Sequence, residues 1–191
     1  MRQEPWKPHG SFICTMNIAV FCGANTGRDP GILHAAQEMG RSIAQRGMGV
    51  VYGGGHVGLM GAVADAALQA GGRVIGVIPG FMMEKELAHQ QLTELIVVKD
   101  MHERKMRMHE LSQAVVALPG GFGTMDEVFE LLTWRQLGLH AKPIGLLNVN
   151  GFYSPLLDQV VRMEQDGFLH GPTRILSATT VGALLDAIAG A

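Results

Sequence analysis

Residues 49–72 read GVVYGGGHVGLMGAVADAALQAGG: a short β-branched run, a glycine cluster, then an alanine-rich stretch closed by two more glycines. The pattern is strand, tight turn, helix, and the strand has no polar face. Such strands are buried on both sides, as in a parallel sheet covered by helices.

The same unit recurs along the chain. Short apolar runs stand at 16–22, 49–53, 73–79, 95–99, 114–120, 143–149 and, less apolar, 173–177. Between them lie helical patterns at 31–47, 57–72, 101–113, 124–138, 153–167 and 181–190, many ending in Gly as a left-handed cap requires. This alternation predicts an α/β protein, a Rossmann-like doubly wound parallel sheet of about seven strands flanked by helices. The organisation expected is a flexible N-terminal leader over 1–15 and a single Rossmann-like nucleotide-binding domain over 16–191.

Composition narrows the partners. With 15 Lys plus Arg against 17 Asp plus Glu, and no basic track with interleaved aromatics, a nucleic-acid polymer is not expected. No apolar run is long enough to span a bilayer and the leader has no signal-peptide pattern, so no membrane partner and a cytoplasmic location are expected. Cys14 and Cys22 are too few for a disulfide scaffold or a four-cysteine zinc site.

In doubly wound sheets ligands sit beyond the carboxyl ends of the strands. Three turns there are glycine-rich: CGANTG at 22–27, GGGHVGLMG at 53–61 and PGGFGTMDE at 119–127. Glycine admits a ligand close to the backbone, and the free N–H groups opening the next helix point at an anion. A phosphate fits all three. Gly53, Gly55 and Gly58 satisfy G-x-G-x-x-G, but the next strand ends in Pro79 and Gly80 where a ribose-binding acid would stand, which disfavours NAD or FAD. None of these turns has the Gly-Lys-Ser/Thr ending of a P-loop, which disfavours a triphosphate-hydrolysing site with magnesium and leaves a nucleoside monophosphate or a sugar phosphate.

No metal site is expected. His102 and Glu103 begin like a zincin helix, but Met106 holds the place of the second His. His56, inside a glycine turn, is either a phosphate contact or a solvent-facing turn residue. Asp126 and Glu127 are placed in the first helical turn after the third glycine turn, where a carboxylate favours the helix dipole. A second carboxylate beside a phosphate has a use if it faces a developing oxocarbenium ion, which points to Glu127. Arg104 and Lys105 open the helix after the fourth strand and Glu86 follows the third, all at one sheet edge.

These residues together resemble the Lonely Guy (LOG) family, cytokinin riboside 5′-monophosphate phosphoribohydrolases formerly labelled possible lysine decarboxylases. The signature P-G-G-x-G-T-x-x-E stands as Pro119, Gly120, Gly121, Phe122, Gly123, Thr124, Met125, Asp126 and Glu127. An Arg-Lys pair followed by Met stands as Arg104, Lys105 and Met108, and the stretches VVYGGGHVGLMGAVADAAL, TWRQLGLHAKPIGLLNVNGFY and DGFL are also family-like. Two departures are CGAN where many relatives carry CGSS, which removes a hydroxyl, and Gln113 at a position often held by Asp.

The resemblance implies hydrolysis of N6-modified adenosine 5′-monophosphates, and of AMP itself, to free base and ribose 5-phosphate, with no cofactor. It implies Arg104 and Glu127 as the catalytic pair. The substrate would be held by Glu86, Lys105, Met108, Thr133, the turn Gly120, Gly121, Phe122, Gly123 and Thr124, and Gly54 and Gly55. It also implies a homodimer, to which Phe129, Leu132, Trp134 and Leu137 could contribute an apolar face and Arg135 a residue of the neighbour's pocket.

The decarboxylase label fails on the residues. Lysines stand at 7, 85, 99, 105 and 142, and none has the setting of a pyridoxal Schiff base. The rival reading is a non-catalytic nucleotide or cofactor carrier on the same fold, against which the joint presence of Arg104 and Glu127 argues.

Overall fold

The computed structural model describes residues 16–83, 88–169 and 173–191. The leader 1–15, with Cys14, and Glu86 lie outside the described residues.

Within them the order is β1 (Asn17–Phe21), α1 (Pro30–Gln45), β2 (Gly49–Tyr52), α2 (Gly58–Gln69), β3 (Val74–Pro79), β4 (Glu94–Val98), α3 (Met101–Leu111), β5 (Ala114–Ala117), α4 (Phe122–Gln136), β6 (Ile144–Leu147), α5 (Ser154–Gln165), β7 (Ile175–Ala178) and α6 (Val181–Ala189). The strands form one sheet in the order β4-β3-β2-β1-β5-β6-β7. Every pairing is parallel. The chain winds outward from β1 one way, then from β5 the other, so the switch point lies between these two strands.

Alternation within the strands separates two cores. Ile18, Val20, Val50 and Tyr52 face α1, α2 and α6 through Met39, Ile43, Val63 and Leu184. Ala19, Phe21, Val51 and Val77 face Met108 of α3 and Val128, Leu131 and Leu132 of α4, with Leu156 and Leu157 of α5 packed alongside. The interior strands β1, β2, β3, β5 and β6 are almost wholly buried, as their apolar runs require. β4 and β7 are half-exposed, because an edge strand has a neighbour on one side only.

Gln113 ties the sheet together at the family departure noted above. Its Oε1 accepts from the Asn17 N–H at 2.8 Å, and its own N–H donates to the Asn17 carbonyl at 2.9 Å. One boundary differs in a way that matters. α4 begins at Phe122 with Gly121 as N-cap, so Asp126 and Glu127 lie past its first turn, which holds no acid. The dipole explanation for these carboxylates therefore loses its position.

Candidate active site

A cavity of about 490 Å³ opens beyond the ends of β1, β2 and β5, at the switch point. Its volume is within the usual range for small-molecule sites.

The turn after β5 forms one wall. Gly121 caps α4 with no side-chain bond, and the first N–H groups of an α-helix have no intrahelical partner, which suits this turn to an anion. Gly120, Gly121, Gly123 and Thr124 all line the cavity. The turn after β1 stands beside it, and the Gly23 N–H donates to the Pro119 carbonyl at 3.1 Å. The turn after β2 serves the packing of these two. Gly58, at φ +66°, lies so close to Ala24 that a Cβ would meet the Asn25 nitrogen at 2.7 Å, and the Leu59 N–H donates to the Gly23 carbonyl at 3.2 Å.

Arg104 reaches the cavity from α3 and is 4 % exposed. Asp100 caps α3 by accepting from the Glu103 N–H at 2.9 Å, which fixes where the helix starts. The Arg104 Nη2 donates to the Gly53 carbonyl at 3.0 Å, and Nη1 lies 3.8 Å from the sulfurs of both Met82 and Met101. A Cβ on residue 53 would take the space of the guanidinium, so Arg104 holds this position only while residue 53 is glycine.

Glu127 lines the same cavity from α4. Burial, and secondarily the Glu127 carboxylate, push the Cys22 thiol far above its ordinary range, so Cys22 lines the site as a neutral thiol and not as a nucleophile. Below the turn, the Tyr153 hydroxyl donates to the Leu118 carbonyl at 2.6 Å, fixing the strand end that leads into Pro119. On the far rim, Asn150 at φ +49° donates through Nδ2 to Asp29 at 2.7 Å, and Asp29 caps α1 through the Gly31 N–H at 2.8 Å. The Asn150 bond, then the Gly31 N–H, hold the Asp29 carboxyl below its usual value.

Of the residues expected to act on or hold the substrate, Arg104, Met108, Gly120, Gly121, Gly123, Thr124 and Glu127 come together around this cavity. Five described ones do not line it. Gly54 packs on Ile78 and Leu95, and Gly55 bridges to Ala88. Phe122 points to solvent at 97 % exposure. Thr133 turns its hydroxyl back onto the Phe129 carbonyl at 2.8 Å. Lys105 points to α4, with Nζ at 3.1 Å from both Asp126 and Glu130. Burial would lower the Lys105 pKa, but the bonds to Glu130 and Asp126 hold it above the ordinary lysine value.

The cavity also has walls that the sequence motifs missed. Asn25 and Thr26 come from the turn after β1, which was visible as glycine-rich. Met60 lies in the glycine-rich turn at 53–61 already singled out, whereas Met82 and Met101 come from two later connections, and nothing in the spacing of the three signals that they meet.

His56, Asp65 and His89 bring ligand atoms within 4.8 Å of one another, apart from this cavity. Their hydrogen bonds do not suit a metal. His89 Nδ1 accepts from the Gln91 N–H at 3.1 Å, so its proton is on Nε2, which donates to Asp65 at 2.9 Å. A metal on Nε2 would need the opposite tautomer. With His56 edge-on at 4.6 Å, the group fastens the segment after β3 to α2.

The profile of the family described as "Possible lysine decarboxylase" matches residues 60–185. The cytokinin riboside 5′-monophosphate phosphoribohydrolase of Rhodococcoides fascians is 52 % identical over 159 residues, covering 83 % of this chain and 80 % of its own. The chain belongs to the LOG family. An Arabidopsis thaliana LOG member of the same name is 44 % identical over 170 residues, covering 88 % of this chain and 79 % of its own. Among solved structures, the molybdenum cofactor binding protein of Rippkaea orientalis superposes with a TM-score of 0.69 at 24 % identity, covering 92 % of this chain and 96 % of its own, which speaks for the LOG fold alone.

Proposed function

We propose that this LOG protein hydrolyses the N-glycosidic bond of N6-modified adenosine 5′-monophosphates, with AMP as a further substrate, giving free base and ribose 5-phosphate. One observation carries the reading: Arg104 and Glu127 line the same cavity as the N-terminus of α4, whose cap Gly121 makes no side-chain bond. The relatives with this name support the substrate class.

In this reading the 5′-phosphate binds the N–H groups from Gly121 to Thr124. The C1′–N9 bond breaks with its electron pair leaving on the base, and a water oxygen bonds to C1′. Glu127 stabilises the cationic sugar and takes one proton of that water, while the departing base takes a proton from solvent. Glu127 then returns its proton to solvent, so the one water supplies the hydroxyl on C1′ and, in net, the proton on the base. Arg104 stays charged throughout, so it orients the nucleotide or draws charge towards the leaving base and does not supply the proton. Nothing in the reading calls for a cofactor or metal.

The assembly expected is a cytoplasmic homodimer built on a single domain over 16–191. α4 divides its large apolar residues: Leu132 packs in the core and Trp134 against it, whereas Phe122, Phe129 and Leu137 form an outward stripe at 97 %, 40 % and 68 % exposure. Thr133 lies on that outward side, and Arg135 is engaged within its own chain by the Arg174 carbonyl at 2.9 Å. No helix among the described residues is long and apolar enough to cross a membrane. Sedimentation as a monomer would end the dimer.

Chromatography of products tests the activity. The protein is incubated with isopentenyladenosine 5′-monophosphate and, separately, with AMP. Release of base and ribose 5-phosphate is expected. Binding without release selects the carrier reading instead.

A further inference from the structure

We infer that Lys105 is a positioning residue whose ammonium, held between Asp126 and Glu130, locks α3 against α4 and so sets Arg104 relative to Glu127. The inference rests on the hydrolase reading above and departs from the substrate contact that family resemblance gives this lysine.

The placement follows from helix geometry. Arg104 and Lys105 are consecutive on α3, so they leave the helix about 100° apart. Arg104 turns to the cavity, and Lys105 turns to α4. On α4, Asp126 and Glu130 are one turn apart and form a single acceptor face, while Glu127, next to Asp126, lines the cavity. Each of the two helices thus carries one cavity residue beside one residue of the bridge.

The sheet does not fix this spacing by itself. α3 leaves β4, and α4 leaves β5, and three strands lie between those two in the sheet. The bridge joins the helices directly at the level of the site. Its Lys105–Glu130 arm is withdrawn from water, the two side chains being 13 % and 19 % exposed, whereas the Asp126 side chain is 60 % exposed.

Charge argues against a phosphate ligand role. One ammonium between two carboxylates leaves the trio net negative, which repels a phosphate. Lys105 does not line the cavity, whereas Asp126, one of its partners, does.

The experiment is a kinetic cycle with isopentenyladenosine 5′-monophosphate, paired with calorimetry of ribose 5-phosphate binding. The wild-type protein comes first, because absent turnover would end the hydrolase reading, whatever the variants do. With wild-type turnover established, Lys105→Met is expected to lower kcat by about tenfold or more, leaving KM and ribose 5-phosphate affinity within about threefold. Asp126→Asn with Glu130→Gln is expected to do the same, and the triple variant to lose no more than either. The swap Lys105→Glu with Glu130→Lys is expected to recover most of the kcat lost on Lys105→Glu alone, and it decides the matter if the uncharged variants do not fold. A tenfold loss of ribose 5-phosphate affinity in Lys105→Met, additive losses in the triple variant, unchanged kcat, or no recovery in the swap each overturns the bridge.

Discussion

Arg104 and Gly53 meet where α3 passes the end of β2: the guanidinium donates to the Gly53 carbonyl at 3.0 Å, in space that a side chain on residue 53 would fill. A buried cation is thereby aimed by a backbone oxygen and two thioethers. Gly53→Ala is expected to displace Arg104 and lower kcat/KM by about 10²-fold, since small misplacements at a reacting centre have effects of that size. Steady-state kinetics check it, with circular dichroism confirming the fold.

Glu127→Gln removes the charge and the proton acceptor while keeping the shape. Turnover is expected to fall by about 10³-fold, with AMP affinity by calorimetry changed only a few-fold. Retained turnover would remove Glu127 from the mechanism.

The glycines of the phosphate turn separate by what surrounds them. A Cβ on Gly120 would meet the Thr124 side chain and, at 3.0 Å, the Gly23 nitrogen, whereas one on Gly121 or Gly123 meets nothing within 4 Å. Gly120→Ala is expected to destabilise the protein by about 1–3 kcal/mol, read by thermal melting. Gly123→Ala, inside α4, is expected to stabilise the protein by up to about 1 kcal/mol through helix propensity, read as a higher Tm. If the cradle reading holds, Gly121→Ala lowers ribose 5-phosphate affinity, and because alanine is a poorer N-cap than glycine it also lowers stability by about 1 kcal/mol.

Stability has an acid limb at the opposite end of α3. His109 sits 4.9 Å from His140 and accepts at Nδ1 from Lys142 at 3.4 Å. Burial, then the charges of Lys142 and His140, lower the His109 pKa from 6.5 to about 4. The unfolded chain therefore takes up the proton first, so the contribution is complete above pH 6.5 and is lost as pH falls through about 4. Allowing for its partial exposure, the loss is on the order of 1 kcal/mol. His109→Asn, which keeps an acceptor and cannot titrate, is expected to flatten the Tm profile over this window, leaving a remainder from His140, also held low by burial.

The seven strands and six helices of the described residues were legible because each is a short apolar run, half-exposed in the edge strands β4 and β7, or a periodic stretch, and local pattern decides both. The core of the site was legible for the same reason: Gly120 to Thr124 and Glu127 share one strand-turn-helix unit. Two kinds of feature were not. The start of α4 at Phe122 depends on Gly121 acting as N-cap, a role for which glycine ranks below Ser, Asp and Asn in sequence. The direction of Lys105 and the meeting of Met60, Met82 and Met101 depend on strand order, which local patterning does not encode.

The bond from Asn17 to Gln113 spans 96 positions, and β1 finds β5 only across that span. Because no two strands are joined by a hairpin, every pairing waits for a crossover, and such chains fold slowly. On the ribosome β1 keeps one edge unpaired until β5 emerges, so a nascent chain stopped before residue 114 exposes an apolar strand edge. Such truncated chains are expected to aggregate, and the site stays incomplete until the turn after β5 has emerged.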